Sequence, residues 1–192
     1  MDVVLGFFAT LGVSTAAGLN AYLPLLLLGI LSRSTDLVQL TSPWVRLEEP
    51  WVLGLVGAVA VLDFVGDKVP VVDHVLHSVG LVIAPVAGAI AALATAGAVD
   101  VNPGVAMVVG VVAALATHGG RTAARPVSTV AMGGTATPIV SLAEDGTSAT
   151  LTILAFVAPV LAFLAVVGIA ALLVWGVRRW RALGRRLGTS SR

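Results

Sequence analysis

Apolar residues run along this chain in long blocks with short interruptions. Five blocks are long enough, or nearly so, to be membrane spans. They are Val3 to Leu31, which carries no charge, Trp51 to about Gly66, and Val79 to Val99. The fourth starts at Pro103, stays apolar to Thr117 and continues as a polar, glycine-rich stretch to about Gly134. The fifth is Ala149 to Val177. A hydrocarbon core of about 30 Å takes about 20 apolar residues per helix. The pattern predicts an all-α, polytopic membrane helix bundle of about five spans. Residues 1–177 form one transmembrane domain, and residues 178–192 form a basic tail.

Composition supports the same solvent. The chain is 58% hydrophobic and 11% charged, with a mean hydropathy of +1.03. Soluble domains carry about 45–50% apolar and about 25% charged residues. There is too little charge here to cover a surface facing water, and too much apolar residue for disorder. A net charge of +1 gives no case for a nucleic-acid partner. With no cysteine, a disulfide, a thiolate metal site and a cysteine nucleophile are excluded.

Arg178, Arg179, Arg181, Arg185, Arg186 and Arg192 gather at the C-terminal end, flanked by Trp175 and Trp180. The positive-inside rule places that end in the cytoplasm. Five crossings then put the N-terminus outside and the Ser32–Pro50 loop inside. Met1–Leu31 has Asp2 and no Lys or Arg before its apolar run, so it is expected to be a retained span and not a signal peptide.

Two stretches look alike. Ala9-Thr-Leu-Gly-Val-Ser-Thr-Ala-Ala17 recurs as Ala116-Thr-His-Gly-Gly-Arg-Thr-Ala-Ala124, identical at six of nine positions. Each sits inside a long segment near residues that break an apolar run: Gly12, Ser14, Thr15, Gly18, Asn20 and Pro24 in the first, and His118 to Pro126 in the fourth. Three crossings between them would make them antiparallel. They are therefore expected to be two interrupted helices of an inverted repeat, covering 1–98 and 99–177, the pattern of many transporters. Unwound backbone in a membrane must be buried in protein or line a wet cavity. The alternative is that these small residues serve close helix packing.

Ionisable residues at membrane depth are costly and usually face a cavity or a partner. Asp63, Asp67, Lys68, Asp73, His74 and His77 form one group around Pro70. They either line a polar cavity fit for cations or protons, or lie on an interfacial amphipathic helix. The spacing of His74 and His77 alone is weak ground for a metal, and neither a metal nor a cofactor is expected. His118, Arg121 and Arg125 form a second group. It is either an anion site with glycine-rich backbone N–H groups or a set of counter-ions to Asp63, Asp67, Glu144 or Asp145. Ser141 and Glu144 have the spacing of a capping box that would start the last helix, and Glu144 and Asp145 could instead answer the arginines.

Ala16-Ala-Gly-Leu-Asn-Ala-Tyr-Leu-Pro24, Asp67-Lys-Val-Pro-Val-Val-Asp73-His74, Pro85-Val-Ala-Gly88, His118 with Arg121 and Arg125, and Ser141-Leu-Ala-Glu-Asp145 occur in that order. Together they resemble a bacterial integral membrane family, domain of unknown function 4126, over nearly the whole chain. The resemblance implies a small multi-pass protein of the bacterial inner (plasma) membrane and brings no activity with it.

The leading expectation is a small transporter or permease-like protein. Its cargo would be an anionic solute or a phosphate-bearing lipid carrier, or it would couple an ion through buried carboxylates. The expected site comprises Asn20, Tyr22, Asp63, Asp67, Lys68, Asp73, His118, Arg121, Arg125, Glu144 and Asp145. Five helices enclose little volume, so a homo-oligomer is expected, packed through Gly54-Leu-Val-Gly57 or Ala87-Gly88-Ala89. The alternatives are a membrane enzyme acting on a lipid-linked substrate, for which no nucleophile elbow or zinc motif is present, and a structural subunit without cargo.

Overall fold

The computed structural model describes residues 3–66, 70–97, 101–131 and 137–188, without the side chains of 70–77, 124–131, 137 and 180–188. Its helices are α1 (Val3–Leu19), α2 (Tyr22–Ser34), α3 (Pro50–Gly66), α4 (Pro70–Thr95), α5 (Pro103–Ala131), α6 (Thr137–Val157) and α7 (Pro159–Gly188), with a short 3-10 helix at Trp44–Glu48. The chain is an all-α membrane bundle. Among the described residues, four segments are long and apolar enough to cross a bilayer: Ser78–Thr95, Pro103–Ala123, Pro138–Val157 and Pro159–Arg179. α1, α2 and α3 are apolar but shorter.

Proline opens α3, α4, α5 and α7. At the first helical position its missing N–H costs nothing and its fixed φ suits the helix. Asn102 caps α5, its Oδ1 accepting from the N–H of Gly104 at 2.9 Å.

α1 is the axis of the bundle and packs against α4, α5, α6 and α7. It is apolar all round and rich in Gly, Ala, Ser and Thr, as a helix buried on every face should be. Thr10, Val13, Ser14, Ala16 and Ala17 are buried. Small residues set the approach of its neighbours. A Cβ at Gly18 would lie 2.5 Å from the Ala114 carbonyl oxygen and 2.7 Å from the Thr117 Cβ, so α1 and α5 touch backbone to backbone. Lipid-facing helices invert the soluble pattern: Leu161, Leu164, Val167 and Leu172 of α7 are exposed.

Four expectations need correction. The fourth segment is not interrupted: α5 is helical from Pro103 to Ala131. Mid-helix Gly119 and Gly120 weaken a helix by about 1 kcal/mol each, which packing overrides. At Gly120 a Cβ would sit 2.8 Å from Leu173 Cδ1, so the glycine lets α7 close on α5. The fifth segment, Ala149–Val177, is divided at Ala158 between α6 and α7, because Pro159 has no N–H and disfavours helical geometry at the residue before it. α6 starts at Thr137, so Ser141 lies past its first turn and does not cap it. Finally, Ala87-Gly88-Ala89 is not an open face. A Cβ at Gly88 would lie 2.5 Å from Ala114 Cβ and 2.6 Å from the Gly110 oxygen, because this patch is the α4–α5 crossing. Gly54 remains open, with nothing within 4 Å of such a Cβ.

Candidate functional site at the α1–α2 break

The first apolar run does break, but only at Asn20 and Ala21: Gly12, Ser14, Thr15 and Gly18, also expected to interrupt it, lie inside continuous α1, and Pro24 lies inside α2. Asn competes with the helix by offering its own side chain to nearby backbone groups. Here the Asn20 N–H still donates to the Ala16 carbonyl at 3.0 Å, closing α1. Its Oδ1 then accepts from the N–H groups of Tyr22 at 2.9 Å and Leu23 at 3.0 Å, opening α2. One residue closes one helix through its backbone N–H and caps the next through its side chain.

Breaking a helix in a membrane frees a carbonyl as well as amides. The Leu19 carbonyl accepts a hydrogen bond from Nη1 of Arg121 on α5. The same guanidinium pairs through Nε with Glu144 Oε2 of α6 at 3.1 Å, both side chains being almost buried. Next to Glu144, Asp145 accepts from Asn20 Nδ2 at 2.9 Å through Oδ1. α6 is tied to α1 one turn further along, where Ser148 Oγ donates to the Ala16 carbonyl at 2.9 Å. The break is thus held by three helices, each supplying a polar group that lipid could not.

Beside it lies a small cavity of about 40 Å³, lined by Asn20, Tyr22, Asp63, His118 and Arg121 among other residues. That is room for about one water molecule. His118 is buried, and Gly80 of α4 lies over its ring, where a Cβ would come within 2.5 Å of Cε1. A larger apolar recess of about 490 Å³ on the α2–α3 side shares Asn20 and Asp145 with the site and is otherwise lined by residues such as Leu23, Leu26 and Phe64.

Of the residues expected from sequence, Asn20, Tyr22, Asp63, His118, Arg121, Glu144 and Asp145 thus meet at one place. Asp67 and Lys68 lie outside the described residues, as do the side chains of Asp73 and Arg125. Arg121 has the counter-ion partner that one of the two alternatives assigned to it. Three participants had no sequence signal as members of the site: the Leu19 carbonyl, Ser148 and Gly80. Among the described residues no three His, Asp or Glu side chains are grouped to hold a metal ion. Among the described residues, the site brings Asp63, Glu144 and Asp145 into the neighbourhood of Arg121, which pairs with Glu144.

No curated protein and no solved structure matches the chain. The polar residues gathered at the α1–α2 break, and the helices that carry them, fall within residues 7–179, which match one family model, and the chain belongs to that family, Domain of unknown function (DUF4126).

Proposed function

We propose that the chain is a small proton-coupled membrane transporter whose proton-handling site is the α1–α2 break. The observation that carries this is the gathering, among the described residues, of the carboxylates Asp63, Glu144 and Asp145 at an interrupted helix beside Arg121, whose guanidinium is engaged by Leu19 and Glu144. Ionisable groups inside a membrane protein commonly mark ion pathways or proton relays, and an interrupted helix is a recurrent setting for such sites.

The proton suits this geometry better than a larger ion. The cavity admits about one water, and among the described residues no cluster of ligands for a metal converges on it. An anionic cargo at Arg121 would compete with the Glu144 carboxylate that already neutralises the guanidinium, so the anion expectation has less support. Asn20 lines both the small cavity and the wider apolar recess, and its amide donates to Asp145, which lines the recess; on this reading Asp145 exchanges a proton with the small cavity through Asn20. The same proposal keeps the Arg178–Arg192 end in the cytoplasm.

The test is proton flux into liposomes holding the purified protein, driven by a potassium diffusion potential and read by a trapped pH dye. Wild type should acidify the lumen, and Asp145→Asn should abolish the signal while the protein still elutes as a folded species. No flux from folded wild type under either sign of potential would overturn the proposal.

A further inference from the structure

A second feature lies away from the break. α1, α5 and α7 leave a groove of about 510 Å³ between them. It exists because small residues line three helices at the same place: Thr15 on α1, Ala113, Ala116 and Gly120 on α5, and Ala170 on α7. Its wall is almost entirely apolar. Along α7 it extends from Val166 to Arg178, which at 1.5 Å per residue is about 18 Å. One leaflet of a hydrocarbon core is about 15 Å deep.

The end of the groove is different in chemistry. Arg178 lines it there, is exposed, and makes no hydrogen bond or ion pair with the described residues. Its neighbour Arg179 lies over the Trp175 ring, 5.2 Å from the centroid. Tryptophan beside arginine is the side-chain pairing of the headgroup layer. The groove therefore runs from the bilayer interior to the headgroups with an unclaimed cation at its polar end. Only 6% of the Pro159–Arg179 span is buried within the chain, which leaves α7 open to an occupant from outside it.

We propose that this groove is a binding site for one anionic glycerophospholipid, with an acyl chain between α1, α5 and α7 and the phosphate on Arg178. A methylene occupies about the space of a water molecule, whose share of the liquid is about 30 Å³. The groove thus holds on the order of fifteen methylenes, one ordinary acyl chain. The charge selects a phosphate headgroup without a compensating ammonium, and the length selects a chain that lies within one leaflet. This site shares no side chain with the proton site, and it stands or falls independently of transport.

The full-length protein, stripped of lipid in detergent, is titrated with phosphatidylglycerol or phosphatidylcholine and examined by native mass spectrometry. Wild type should retain one phosphatidylglycerol per chain and little phosphatidylcholine. Arg178→Ala should weaken phosphatidylglycerol retention about tenfold, the worth of one charge-assisted hydrogen bond, and Arg179→Ala should change it little. Ala170→Phe, which fills the groove, should abolish retention, with Ala116→Leu as the second filling variant should the first fail to fold. Inorganic phosphate at millimolar concentration should not displace the lipid. Retention unchanged in Arg178→Ala and in a folded filling variant would overturn the proposal. So would a filling variant that converts a dimer to a monomer without loss of lipid, since a second copy would then be the occupant.

Discussion

Nε of Arg121 lies 3.1 Å from Glu144 Oε2, and the same guanidinium donates through Nη1 to the carbonyl of Leu19, where α1 stops. One side chain therefore neutralises a carboxylate and completes a broken backbone. Removing one partner of a buried ion pair typically costs about 3–5 kcal/mol. Arg121→Met should fall in that range or above it, because the Leu19 carbonyl loses its donor too. The double variant Arg121→Met, Glu144→Leu should recover part of the loss but not all, since only the charge is then balanced. Thermal unfolding in detergent micelles measures both. A double variant as stable as wild type would mean that the bond to Leu19 contributes nothing.

Asn20 has two separable roles. Asn20→Ala removes the acceptor that caps α2 and the donor to Asp145. Loss of the cap alone should destabilise by about 0.5–2 kcal/mol. Asn20→Ser keeps an acceptor for the N–H groups at the start of α2 and drops the amide donor. It should retain most of the stability of wild type and impair proton flux if Asp145 is held in place by that amide. Equal stability of the Ala and Ser variants would show that the cap is not used.

The first break was legible only in part: of the six residues expected to interrupt the apolar run, Asn20 does so, while Gly12, Ser14, Thr15 and Gly18 sit in α1 and Pro24 in α2. The sequence misled at His118-Gly-Gly, where the glycines look like an interruption: Gly120 serves close approach, and Gly119 has nothing within 4 Å of an added Cβ. Gly120 makes room for Leu173 and Gly80 makes room for the His118 ring, and neither neighbour is visible from local spacing. Pro159 was visible but sat inside a run long enough to pass as one span, so the α6–α7 division was missed. Convergence of Asn20, Arg121, Glu144 and Asp145 followed from the cost of charge in lipid. Which carboxylate takes which donor did not follow from it, because that depends on the rotation of α6 about its axis against α1 and α5. The Leu19 carbonyl carries no side-chain signal at all.

Close helix approach predicts opposite outcomes at two glycines. Gly88→Leu places side-chain atoms where the Gly110 oxygen and Ala114 Cβ already lie. Backbone cannot rotate away as a flexible side chain can, so α4 and α5 must separate, at about 1–3 kcal/mol or more. Gly54→Ala meets nothing within 4 Å. It should stabilise α3 by up to about 1 kcal/mol through helix propensity alone. Parallel melting curves of the two variants decide the matter, and a destabilised Gly54→Ala would reveal a contact that a single copy of the chain does not contain.

Ser148 gives the mildest expected change and the sharpest comparison. Its hydroxyl donates from α6 to the Ala16 carbonyl of α1 at 2.9 Å, and that carbonyl also accepts from the Asn20 N–H at 3.0 Å. Ser148→Ala therefore leaves no orphaned group: the carbonyl keeps one donor and the hydroxyl is gone. Interhelical hydrogen bonds in membrane proteins average about 0.6 kcal/mol, and Ser148→Ala should cost about that. Ser148→Val deletes the same bond but adds volume at a fully buried position facing α1, so it should cost about 1–3 kcal/mol by overpacking. The ratio of the two losses in the same micelle separates hydrogen bonding from packing at this contact. A Ser148→Ala loss as large as that of Ser148→Val would mean that the bond to Ala16 dominates, and the α1–α6 interface would then depend on its polar contacts and not on its small-residue fit.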